Sequence, residues 1–116
     1  MAKFLFLQRG GGCNDPSQMS ADEMDALMKS CMEWMQAGKD EGWLLDPGAP
    51  LSGGAAVVDK SLAVTDGPFA EARELVGGYT MIEAADLATA CELAKRTIKM
   101  TGAGTIEVRE IAEMGS

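Results

Sequence analysis

The chain has 116 residues, 47% of them hydrophobic, and carries 10 Lys and Arg against 18 Asp and Glu for a formal net charge of −8. A length like this makes one domain, read over residues 1–116, and the apolar fraction rules out disorder as the main state. The acidic balance disfavours nucleic acid as a direct partner, and the absence of histidine removes His-dependent triads and most zinc chemistry.

From the N-terminus, Lys3 to Gln8 places Phe4 and Phe6 on one face and Leu5 and Leu7 on the other, which predicts a strand in the middle of a sheet. Arg9-Gly10-Gly11-Gly12-Cys13-Asn14-Asp15-Pro16 has loop composition. Glycines between a strand and a helix invite a phosphate-loop reading, but neither phosphate-binding pattern is present and a plain loop is expected. Cys13 has no histidine to activate it as a nucleophile. Ser20 followed by Glu23 forms a capping box, and Met24, Leu27, Met28, Cys31 and Met35 then make one apolar helical stripe, ended by Gly38 or Gly42. Met24, Met28, Met32 and Met35 beside Trp34 suit core or subunit packing, with an adaptable binding face as the alternative.

Trp43 to Leu45 predicts a short strand that enters the Pro and Gly loop 46–54. Ala55 to Val58 and Leu62 to Thr65 flank Asp59-Lys60-Ser61 as a hairpin, and an acidic connector runs from Asp66 to Leu75. Val76 to Glu83 reads as a further strand in which Gly77 and Gly78 mark a bulge or a close backbone approach. Asp86 is a good N-cap for a second helix with the stripe Leu87, Ala90, Cys91, Ala94 and Ile98, closed by Gly102 and Gly104. A last strand covers Thr105 to Ile111.

That order predicts an α+β fold of the split βαβ type, two helices on an antiparallel sheet. Two helices cover one sheet face only, so the other face calls for a partner, and a second copy of the chain is the simplest one. The apolar run Phe4 to Leu7 is shorter than the roughly 7 to 15 residues of a signal peptide's apolar region. No stretch approaches the roughly 20 apolar residues of a membrane span. Cys13, Cys31 and Cys91 are odd in number and lack a CxxC pair, so the expected compartment is a reducing cytoplasm.

Leu62-Ala63-Val64-Thr65-Asp66-Gly67-Pro68-Phe69-Ala70-Glu71-Ala72-Arg73-Glu74-Leu75-Val76-Gly77-Gly78-Tyr79, followed by Ile82-Glu83-Ala84 and Asp86-Leu87, resembles the DGPF branch of the YCII-related family. Gly104-Thr105-Ile106-Glu107-Val108-Arg109, the opening strand and the capped helix are similar to the family pattern too, so the likeness covers nearly the whole chain. The resemblance implies a ferredoxin-like subunit that pairs into a dimeric α/β barrel with a cleft near the Asp66-Gly67-Pro68-Phe69 turn. No cofactor and no metal site is expected. Relatives are described as small enzymes without an assigned reaction, and some occur beside or fused to extracytoplasmic-function sigma factors. The YCII branch proper is thought to use a His and Asp pair, which a chain without histidine cannot supply. Many DGPF members carry an Arg in the first hairpin strand, where this chain reads Ala55-Ala56-Val57-Val58.

On physical grounds Asp66 can cap its own turn, Gly67 permits positive φ and Pro68 fixes the next φ, so Phe69 gains a set direction. Two readings stay open: a rigid turn that docks Phe69 into the core or a dimer seam, or a ligand-facing turn formed by Asp66, Gly67, Pro68, Phe69 and Glu71. Asp66, Glu71, Glu74 and Glu83 are carboxylates for acid/base work or a divalent cation, with exposed solvating charges as the plainer reading. The catalytic candidates are Asp66 or Glu71 as acid/base with Tyr79 orienting a ligand. Trp43 and Tyr79 suit the core better than a ligand platform. The expected function is a small-molecule-binding protein or small enzyme; the alternative is a non-catalytic interaction module acting with a sigma factor.

Overall fold

The computed structural model describes residues 1–11, 20–51, 56–66 and 76–113. Its elements are β1 (Ala2–Gly11), α1 (Ala21–Glu41), β2 (Leu44–Asp46), β3 (Ala56–Val58), β4 (Val64–Asp66), β5 (Val76–Ala84), α2 (Leu87–Thr101) and β6 (Ala103–Glu110). The strands β2-β5-β1-β6 form one antiparallel sheet, and β3 and β4 pair separately as a hairpin. Each helix connects two strands that have a third strand between them, which is the ferredoxin-like α+β plan with a hairpin inserted before β5.

Period-two alternation explains how β1 organises this sheet. Phe4 and Phe6 point to the helix side and are fully buried against Trp34 of α1, Ala90 and Ala94 of α2, and Ile82 and Ala84 of β5. Leu5 and Leu7 point the other way and are only half-buried, beside Met81 and Tyr79 of β5 in register. The strand is central, as its two apolar faces predict, yet both helices pack on the phenylalanine face. A molecule 18 Å thick has room for one sheet and one helix layer.

Both helices start where their caps predict. Ser20 Oγ accepts from the Glu23 amide at 3.1 Å and donates to Glu23 Oε1, and the Asp86 carboxylate accepts from the Thr89 amide at 2.8 Å. The Thr89 hydrogen bonds hold the Asp86 carboxyl below the ordinary aspartate range. Of the two glycines offered as the end of α1, Gly42 ends it, with φ 84° and its N–H on the Gly38 and Lys39 carbonyls. Gly38 lies inside the helix, buried, where a Cβ would sit 2.7 Å from that of Leu44. Across the helix layer, Arg96 of α2 makes a two-pronged ion pair with Glu41 of α1, at 2.7 and 2.5 Å, and its guanidinium lowers the pKa of the Glu41 carboxyl.

Three expectations need correction. β1 runs on through Gly10 and Gly11, read above as loop, because Gly11 pairs with Ala103 at the start of β6. The buried line on α1 passes through Trp34 and Gly38; Met28 and Met32 are 57% and 63% exposed and outside the core. Trp34 in the core and Gly38 against the Trp43 ring set the contact face more strongly than a row of methionines does. On α2, Leu87 is exposed and Thr97 is buried instead, because Thr97 Oγ1 donates to the Leu93 carbonyl and accepts from Trp34 Nε1, both at 2.8 Å. Trp43 is buried, as expected. The paired glycines do form a bulge: Gln8 pairs with Gly78 and Arg9 with Val76, so Gly77 is the extra residue.

Among the described residues no helix is long and apolar enough to cross a membrane.

Candidate functional site

Antiparallel pairing brings the end of β1, the starts of β5 and β6 and the segment after β2 to one end of the sheet, since Arg9 lies opposite Val76 and Thr105, and Gly11 opposite Ala103. The segment after β2 is held against β5 by backbone bonds, from the Leu51 amide to the Gly77 carbonyl at 2.8 Å and from the Tyr79 amide to the Ala49 carbonyl at 3.4 Å. Thr80 Oγ1, buried on the helix side, donates to the Pro47 carbonyl at 3.1 Å and accepts from Gln8 Nε2 at 3.2 Å. The Asp46 carboxylate accepts from the Gly48 amide at 2.8 Å, an Asx turn that starts this segment.

The opposite, open face carries the reactive groups. Tyr79, Leu7 and Glu107 form one row across β5, β1 and β6. With neighbouring strands about 4.8 Å apart, the Tyr79 and Glu107 backbones stand about 10 Å from each other. Arg9, one pleat further along β1, donates to Glu107 Oε1 at 2.8 Å, while Arg109 donates to Glu107 Oε2 at 3.2 Å. One carboxylate thus sits between two guanidinium groups. Tyr79 is 38% exposed on this face, so it is not the core residue expected. A phenol and a guanidinium–carboxylate group on an apolar ground of Leu5, Leu7 and Met81 can orient a small polar or anionic molecule.

Of the predicted site residues, Tyr79 is described on the open face, and Asp66 closes the hairpin by pairing with Ala56 through its backbone. Gly67, Pro68, Phe69, Glu71 and Glu74, like Cys13 and most of the loop after β1, lie outside the described residues. Glu83 is on the same face as Tyr79, opposite Lys3, at the far end of β5. Among the described residues, no group of three or more His, Cys, Asp or Glu side chains is gathered as a metal ion would require.

Arg9, Glu107 and Arg109 were not singled out from the sequence. Alternation does give Leu5, Leu7 and Arg9 one parity and Glu107 and Arg109 another, but bringing the two together takes the β1–β6 register.

The fold and this end of the sheet define a ferredoxin-like α+β domain whose two described helices both lie on one sheet face. Residues 13–115 match the family model of the YCII-related domain, and the chain belongs to that family. No curated protein matches the chain.

Proposed function

We propose that this protein binds a small molecule as a cytoplasmic homodimer, in a cleft between the open sheet face and the Asp66-Gly67-Pro68-Phe69 turn. The observation that carries the reading is this face itself: Leu5, Leu7 and Met81 form an apolar strip that neither helix of the described residues covers, with Tyr79 and the Arg9–Glu107–Arg109 group upon it. A second copy placed there encloses the strip and turns an exposed surface into a pocket. If the protein is an enzyme, Asp66 or Glu71 acts as the acid/base and Tyr79 orients the ligand, and Arg9 or Arg109 supplies the cationic anchor that the first hairpin strand lacks. Three cysteines without a disulfide framework suit the cytoplasmic setting.

Thermal unfolding against a panel of metabolites and metal ions tests this. A ligand that binds only the folded form at 100 times its Kd adds about 2.7 kcal/mol, a rise of roughly 10 °C in a chain of this size. The expected result is a hit among small polar metabolites that weakens in Asp66→Ala, Glu71→Ala and Tyr79→Phe. A hit unchanged in all three variants contradicts the placement.

A second reading is a non-catalytic module acting with an extracytoplasmic-function sigma factor. It is favoured by exposed Met28 and Met32 in a shallow groove with Asp25, Lys29, Glu33 and Gln36 on the outer side of α1. A flat ligand panel favours this reading.

A further inference from the structure

The hairpin of β3 and β4 is built as though something must meet it. Two strands alone are marginally stable in water, and this pair forms a sheet of its own, apart from the four-stranded one. Val58 and Val64 lie directly opposite each other on one hairpin face and are both exposed. Leu62 follows at the tip, 80% exposed, with φ 71°. The tip is a three-residue loop, closed by the Asp59 amide on the Ala63 carbonyl at 3.1 Å and organised by the Asp59 carboxylate. Its last residue must take the left-handed conformation, for which glycine or asparagine is the usual choice. Leucine there carries backbone strain at the position, and among the described residues it is the one non-glycine with positive φ. Nothing in the turn needs its side chain.

The open sheet face needs additional contact area. Strands about 4.8 Å apart, at about 3.4 Å per residue, give this face an area on the order of 600 Å². Stable pairs of proteins bury roughly 600 to 1,000 Å² on each partner. Sheet against sheet therefore sits at the lower limit, and the same chain holds an exposed apolar hairpin that would add to it. The hairpin leaves the main sheet beside the Pro50–Gly78 bridge and its chain returns at Val76, so it is rooted at the end of the sheet that carries Arg9 and Tyr79.

We propose that the hairpin is a dimer arm: Leu62, Val58 and Val64 of each copy pack on the open sheet face of the other, at its Arg9 and Tyr79 end. This rests on the homodimer proposed above and adds that each copy walls the other's cleft. The left-handed leucine is explained because its side chain serves the partner and not its own turn.

Sedimentation equilibrium of four proteins tests it: wild type, Leu7→Arg, Leu62→Asn, and the triple variant Val58→Thr, Leu62→Asn, Val64→Thr. Threonine keeps the β-branched shape and asparagine tolerates the left-handed backbone, so the triple variant retains its hairpin. The expected result is a monomeric Leu7→Arg and a triple variant whose dimer Kd rises about tenfold or more. Leu62→Asn alone, which cannot unfold the core, is expected to weaken the dimer in the same direction without lowering the thermal midpoint of the monomer. A triple variant that associates like wild type, while Leu7→Arg is monomeric, overturns the arm and leaves the dimer standing. A dimeric Leu7→Arg beside a weakened triple variant overturns the docking site. A monomeric wild type overturns both proposals.

Discussion

Gly48→Ala is expected to destabilise the protein by about 3 kcal/mol or more, read from urea unfolding. Two separate effects add at this position. The backbone has φ 69°, which alone costs a side-chain-bearing residue about 1 to 2 kcal/mol. A Cβ there would also stand 1.8 Å from the Tyr79 carbonyl oxygen and 2.7 Å from its carbon, both main-chain atoms of β5 that cannot swing aside. The segment must lift off the sheet, and the bonds from Leu51 to Gly77 and from Thr80 to Pro47 go with it. Gly42→Ala is the matched control. Its φ of 84° is as left-handed, but nothing lies within 4 Å of the added carbon, so about 1 kcal/mol is expected. Equal losses at the two positions would mean that the 46–51 segment does not press on β5.

Trp34→Ala is expected to cost about 3 to 5 kcal/mol, the range for deleting a large buried aromatic. Trp34 is buried where α1, α2 and the sheet meet, its ring 5.8 Å from that of Trp43 and tilted by 57°. Its Nε1–H donates to Thr97 Oγ1, so alanine leaves both a cavity and a buried hydroxyl with one partner fewer. Trp34→Phe retains much of the volume and is expected to lose roughly half as much. Chemical unfolding of the two variants separates the parts. A Trp34→Phe loss equal to that of Trp34→Ala would put the stabilisation in the hydrogen bond instead of the packing.

Both effects sit on features that differ in how far a sequence exposes them. The alternation of Phe4 to Leu7, the Ser20 and Asp86 caps and the glycine pair in β5 are local signals, and each has the predicted consequence. Gly48 was legible only as part of a loop, because its contact with Tyr79 spans two elements. On α1 the methionine stripe satisfies helical periodicity, but the buried residues are Trp34, in the core, and Gly38, against Trp43 and Leu44. The glycines that follow the apolar run of β1 have loop propensity, which the pairing of Gly11 with Ala103 overrides. The site was least legible of all. Arg9 looked like the start of a loop, and only the register across three strands sets it beside Glu107 on the face that carries Tyr79.

The central claim is that the leucine face of β1, half-buried in the single chain, is covered by a second copy. Light scattering of the wild-type protein measures this directly, at protomer concentrations from about 1 to 100 µM, since association follows mass action. The predicted result is a species of twice the 12.2 kDa chain mass that persists into the low micromolar range. A species of 12.2 kDa across the whole range would contradict it.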